Sequence, residues 1–180
     1  MIANEGGFLD APVSGGPEGA AQGTLAIMVG GERAAFDSAL EVMRAYGQAI
    51  RYMGLAGAGS QAKLVNQLLT FSHAAVAAEA LALAARTGLD LGELGALLKA
   101  SFGHSRMLDR TLSRVTAANY EAGAALRLFE KDLGLLDAMG KEVGLALPVA
   151  TMMQGVLANA FEHGLSDRDI SALRLAYPDE

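Results

Sequence analysis

The sequence has no cysteine, which excludes disulfide frameworks, thiolate metal sites and thiol nucleophiles. It is also short of positive charge. Fourteen Lys and Arg stand against twenty Asp and Glu, a formal charge of -6, and the cations are scattered along the chain. Neutralising a run of phosphates needs clustered cations, so a nucleic-acid partner is not expected. The three histidines, His73, His104 and His163, have no spacing suited to a metal, and no Ser, His, Asp order suggests a hydrolase triad. The segment Met1–Gly7 lacks the basic and apolar regions of an export signal, which points to a cytoplasmic protein. Low-complexity tracts and internal repeats are absent. The Ala-rich stretch Ala74–Ala85 looks hydrophobic, but Glu79 and Arg86 interrupt it. Its charge-free run is short of the ~20 residues that cross a bilayer, so it reads as a buried helix of a globular domain with no membrane partner.

What remains is a chain of 180 residues, 52% of them hydrophobic, able to bury a sizeable core. The first ~55 residues are Gly-rich, with β-like runs at Phe8–Val13, Leu25–Val29 and Ile50–Met53. Between the last two, Glu32–Tyr46 spaces Ala35, Phe36, Ala39, Leu40 and Met43 as a helix does, with Gly47 as its stop. After Gly59 the period is helical almost to the end, with breaks at Gly88, 101–103, Gly123 and 144–148. A mainly α fold is therefore expected, three short strands followed by an all-α domain. The run Ser60–Arg86 would form a helix roughly 40 Å long, with Leu64, Leu68, Phe71, Ala75, Ala78 and Ala82 as its apolar stripe. Near the end, Ser166 and Asp169 match a helix-opening box before Ile170 and Leu173. The eight methionines, Met152 and Met153 among them, suit core gaps.

Three segments could carry chemistry. In Asp10-Ala-Pro-Val-Ser-Gly-Gly16 a strand runs into a turn whose unobstructed backbone could cradle a carboxylate, with Ser14 adding a hydroxyl. An ordinary glycine turn would read the same way. In Gly57-Ala-Gly-Ser-Gln-Ala-Lys63-Leu-Val-Asn66-Gln67 a glycine corner opens the long helix. Lys63, Asn66, Gln67 and Thr70 then share one stripe, at i, i+3, i+4 and i+7, near a helix N-terminus whose dipole favours anions. A lysine there, if partly buried, would have a lowered pKa suited to acid or base work. A solvated polar face is the alternative. The same corner imitates a dinucleotide fingerprint, Gly57-x-Gly59-x-x-Ala62, but no second strand follows and Glu79 lies inside an Ala run, so no βαβ unit is expected. The third segment, Phe129-Glu-Lys131-Asp132-Leu133, would alone be a surface ion pair at a helix start.

Taken in order, these three segments resemble the β-hydroxyacid dehydrogenase family, most closely its 3-hydroxyisobutyrate dehydrogenase and tartronate semialdehyde reductase branch. The strand Gly23-Thr-Leu-Ala-Ile-Met-Val-Gly-Gly31 and the terminal Asp169-Ile-Ser-Ala172 extend the likeness over nearly the whole chain. The resemblance implies that Ser14, Gly15 and Gly16 bind the substrate carboxylate, Lys63 is the catalytic acid/base, Asn66 orients the substrate and Lys131 contacts NAD or NADP. No metal is implied. Gln67 stands where many relatives carry a second Asn, and imine-reducing relatives usually carry Asp or Tyr in place of Lys63. By the same likeness, residues 1–56 are a remnant of the dinucleotide-binding domain and 57–180 the helical catalytic and oligomerisation domain. Most of the Rossmann half of such an enzyme would then lie outside this sequence, leaving an open sheet edge. The implied partners are a small carboxylate substrate and further copies of the chain, as a dimer or tetramer through the long helix. A non-catalytic scaffold descended from such an enzyme is the alternative function.

Overall fold

The structure, a computed structural model, describes residues 6–178. The export-signal expectation, which rests largely on Met1–Glu5, lies outside the described residues. The chain forms two compact units, Met1–Asn66 and Gln67–Glu180. The division falls inside a helix, whereas the sequence suggested 56/57.

The first unit holds β1 (Leu9–Asp10), β2 (Val13–Ser14), α1 (Gly16–Ala21), β3 (Leu25–Gly31), α2 (Arg33–Arg44) and β4 (Gly47–Gly54). The expected first strand is thus two short ones. Ala11-Pro12 breaks it, because proline donates nothing to a ladder, and Phe8 lies outside it, 73% exposed. β1 and β2 both run antiparallel to β3, with Leu9 opposite Gly31 and Val13 opposite Ile27. β4 runs parallel to β3 on its other side. Among the described residues β3 is therefore the only strand paired on both sides, and the sheet has open edges at β1/β2 and at β4. Leu25, Ile27 and Val29 alternate into the core, where Phe36 and Met43 of α2 and Ile50 of β4 meet them. Gly47 is not the helix stop expected of it. It opens β4, where a Cβ would strike the Ile27 side chain, so glycine is there to let β3 and β4 close up.

The long helix α3 runs over Ala58–Arg86, starting two residues before the expected Ser60. Its later part opens the second unit, which continues with α4 (Leu91–Lys99), α5 (Arg106–Thr116), α6 (Arg127–Glu142), α7 (Pro148–Glu162) and a final 3-10 helix, Ile170–Ala176. The buried face of α3 is broader than the predicted stripe. Phe71, Ala75, Ala78 and Ala82 are buried, but so are Ala74, Ala77, Leu81 and Ala84. Ala77 and Leu81 pack with Leu108 of α5, and Phe71 stacks on Phe129 of α6 with ring centroids 5.1 Å apart. By length and composition α3 could cross a membrane, which its charges had argued against, yet these eight residues are spent on contacts inside the unit.

Local caps explain several helix starts. Asp90 accepts the Glu93 N–H at 2.8 Å to open α4, and Ser105 accepts the Leu108 N–H at 3.0 Å to open α5. The expected Ser166/Asp169 box does not form. Asp169 itself caps the 3-10 helix, accepting from the Ser171 N–H and hydroxyl. The same fully buried carboxylate also takes Arg110 at 2.7 Å and the Gly123 and Ala124 N–H groups. It ties α5, the 117–125 segment and the chain's end together.

Candidate active site

The site residues of the first unit gather where β2 leaves the sheet. Ser14 ends β2, and Gly15 and Gly16 turn the chain into α1 with φ of 133° and 64°. Side-chain-bearing residues seldom adopt such values, so both glycines are required by the backbone itself. A Cβ on Gly15 would also press on Leu25 at 3.1 Å. The turn is thus a bare stretch of main chain that a ligand can approach closely, next to the Ser14 hydroxyl.

Lys63 and Asn66 reach the same turn from α3. Lys63 is partly buried and donates from Nζ to the Val13 carbonyl at 2.8 Å, directly before Ser14. Asn66 Nδ2 lies 3.5 Å from Ser14 Oγ, long for a hydrogen bond and so an orienting contact rather than a tight one. An ammonium, a hydroxyl, a carboxamide and two glycine peptides therefore meet within one unit. One anionic group is also near. The Glu18 carboxylate folds back to within 2.9 Å of where a Gly16 side chain would begin.

The helix N-terminus expected to favour a ligand anion is already occupied. Asp10 of β1 accepts the Gly57 N–H at 2.8 Å and the Ser60 N–H at 2.7 Å. Burial alone would raise the Asp10 pKa, but these bonds and the Ser60 hydroxyl hold it below the ordinary 3.8. The same contacts account for the imitation fingerprint. Gly59 is buried, and a Cβ on it would meet the Met28 and Asp10 carbonyls, so its glycine serves chain packing and not a pyrophosphate. Sequence reasoning misses the role of Asp10. The signal was available: Leu55-Ala56-Gly57 offers no side chain to cap α3, so the cap had to come from elsewhere.

In the second unit Lys131 lies in α6 with its side chain 77% exposed, 3.5 Å from the Asp132 carboxylate. Asp132 also accepts from Gln67 Nε2 at 2.6 Å. Gln67, placed in sequence on the polar stripe with Lys63 and Asn66, therefore directs its side chain to α6. Among the described residues no three His, Asp or Glu side chains cluster as metal ligands would.

Residues 57–177 match the family profile described as NAD-binding of NADP-dependent 3-hydroxyisobutyrate dehydrogenase, and residues 2–54 match the NAD binding domain of 6-phosphogluconate dehydrogenase. The chain belongs to the β-hydroxyacid dehydrogenase family. Among its relatives, 2-(hydroxymethyl)glutarate dehydrogenase of Eubacterium barkeri is 36% identical over 92% of this chain and 56% of its own length. The 2-hydroxy-3-oxopropionate reductase of Escherichia coli (strain K12) is 34% identical over 93% of this chain and 58% of its own. A crystal structure of 3-hydroxyisobutyrate dehydrogenase from Salmonella typhimurium superposes with a TM-score of 0.86 at 36% identity, covering 94% of this chain and 60% of that one. The Mycobacterium tuberculosis 3-hydroxyisobutyrate dehydrogenase, solved with L-serine, gives 0.83 at 30% identity over 95% of this chain and 61% of that one. The chain thus spans somewhat more than half the length of these β-hydroxyacid dehydrogenases. The two profile matches meet at the glycine corner that Asp10 caps.

Proposed function

We propose that this chain provides the substrate-binding and proton-transfer groups of an NAD(P)-dependent oxidoreductase acting on a small 3-hydroxy acid or its semialdehyde. The observation that carries the reading is the Lys63 ammonium, bonded to the carbonyl just before the Ser14-Gly15-Gly16 turn. A substrate carboxylate on that turn would place its 3-position near Nζ. The Mycobacterium tuberculosis relative was solved with L-serine, a molecule that carries both a carboxylate and a 3-hydroxyl.

The nicotinamide cofactor, when bound, donates or accepts the hydride at the substrate carbon. In reduction a C–H bond forms as the carbonyl π bond breaks, and its electron pair moves to oxygen. Lys63 stabilises that developing alkoxide and then gives it a proton from Nζ, leaving a neutral amine; in oxidation the amine takes the hydroxyl proton. Ser14 and the glycine peptides bind the carboxylate, and Asn66 orients the hydroxyl.

Of the groups present, exposed Lys131 suits an anionic part of the cofactor. The Gly57 corner does not, because Asp10 holds its N–H groups.

The deciding experiment is calorimetry of this chain with L-serine, together with turnover using NAD⁺ or NADP⁺. Turnover is assayed for the chain alone and for the chain combined with the N-terminal half of a relative. Absence of both binding and turnover, with Lys63→Ala changing nothing, sinks the proposal. A scaffold reading has one observation in its favour: Leu69, Val76 and Leu83 stand exposed at seven-residue spacing along α3, as an association seam would. It would prevail if the chain were a stable oligomer that bound no hydroxy acid.

A further inference from the structure

We infer that Asp10 is a positioning residue for Lys63, holding the first turn of α3 so that the ammonium stands beside the Ser14 turn; the inference rests on the role proposed for Lys63.

No side chain local to the start of α3 caps it. α3 opens after Leu55-Ala56-Gly57, none of which offers a capping side chain, yet its first N–H groups still need partners. Asp10 meets that need from β1 with both oxygens, one on Gly57 and one on Ser60. Charge-assisted bonds of this kind are about twice as strong as neutral ones. A two-point attachment also fixes rotation about the helix axis, which a single bond would not.

Two glycines bring the parts close enough. A Cβ on Gly30 of β3 would collide with the Asp10 carboxylate and lie 2.7 Å from the Gly59 nitrogen. One on Gly59 would lie 2.6 Å from the Asp10 carbonyl. β1, β3 and the first turn of α3 thus meet backbone to backbone. Lys63 follows Gly59 by four residues, one turn on and on the same face. Its Nζ then bonds to Val13, three residues beyond Asp10. One short stretch of chain, 10–13, therefore holds the helix at one end and receives the lysine at the other.

The test is reductive dimethylation of the full chain with formaldehyde and cyanoborohydride, followed by mass spectrometry of Lys63, with Lys99 and Lys141 as references in the same digest. It needs neither substrate nor cofactor. In Asp10→Asn, which keeps the shape but turns one acceptor into a donor facing an N–H, Lys63 should label about fivefold faster than in the parent, the factor one net hydrogen bond is worth. The reference lysines should not change. Ser60→Pro, at the third residue of α3 where the first turn tolerates proline, removes one of the two bonded N–H groups together with the Ser60 hydroxyl, and should move Lys63 in the same direction. If either variant is folded by circular dichroism and Lys63 labels at the parent rate, Asp10 only stabilises the fold and the inference is overturned. If Asp10→Asn does not fold, Ser60→Pro decides. Failure of the parent to bind L-serine would count against the proposed function and leave the labelling result standing.

Discussion

Lys63 Nζ donates at 2.8 Å to the carbonyl of Val13, the residue immediately before the turn that would hold a substrate carboxylate. Proton-transfer groups typically contribute 10² to 10⁴ in rate. Lys63→Met, which keeps the stem and removes the charge, should therefore lower kcat by at least about a hundredfold while the turn still binds carboxylate. Steady-state kinetics beside calorimetry on an active preparation checks both halves. A comparable loss in affinity alone would make Lys63 a binding group and not an acid/base.

The turn itself predicts a split between substitutions. Gly16→Ala forces a side chain onto φ of 64°, at roughly 1 kcal/mol in stability, and narrows the approach to the backbone. Glu18→Gln removes a like charge beside the same turn without touching the backbone. Carboxylate affinity should fall in the first and rise a few-fold in the second, as titration calorimetry would register. A Glu18→Gln variant with unchanged affinity would place the carboxylate elsewhere.

Two carboxylates set the acid limb of stability. Burial works against ionisation of Asp169, but Arg110 and the Ser171 bonds outweigh it and hold its pKa below the ordinary 3.8. Asp10 is lowered by its bonds to Gly57 and Ser60 despite burial. A depressed folded-state pKa gives stability that is complete above the unfolded value and lost as pH falls through the folded one. Thermal stability should therefore be flat above about pH 5 and drop below 3.8. Asp169→Asn, which leaves Arg110 without its counter-charge, should cost about 3 kcal/mol at neutral pH and flatten the drop. Parallel pH profiles of Tm for parent and variant measure this; an undiminished acid drop in the variant would assign the limb to other groups.

The long helices and the central strand were legible because each rests on local pattern, whereas the grouping of Ser14, Lys63 and Asn66 came only from the resemblance. Alternation marked Leu25, Ile27 and Val29, helical spacing marked Phe36 and Met43, and the three motifs carried the resemblance. What escaped was whatever depends on a partner distant in sequence. Asp10 caps a helix that begins nearly fifty residues later, Gly47 yields to a side chain on β3, and Asp169 collects donors from three segments. Proline at 12 could have divided the first strand, since the rule against proline inside a ladder is local.

Gln67 and Asp132 offer a test inside the second unit. Gln67→Asn is one methylene shorter, too short to keep the 2.6 Å bond to the partly buried Asp132. It should lower stability by about 1 kcal/mol. If Gln67 matters only through this bond, Asp132→Asn, whose oxygen can still accept, should cost less, and a chemical-denaturation midpoint for each variant separates the two.

The exposed residues of α3 carry the last prediction. Leu69, Val76 and Leu83 are 53%, 59% and 64% exposed and recur every seven residues, so they form one seam along the helix. A second copy of the chain would cover that seam with its own, since a two-fold contact brings the same surface together from both sides. Val76 lies between the other two, where an introduced charge would be furthest from water in such a contact. Val76→Glu should therefore convert an oligomer to a monomer in sedimentation or light scattering, while circular dichroism stays that of the parent, because the position makes no core contact within its own unit. If the parent is monomeric at micromolar concentration, α3 is no seam at all; if an oligomeric parent keeps its mass in Val76→Glu, association falls instead to an open edge of the sheet.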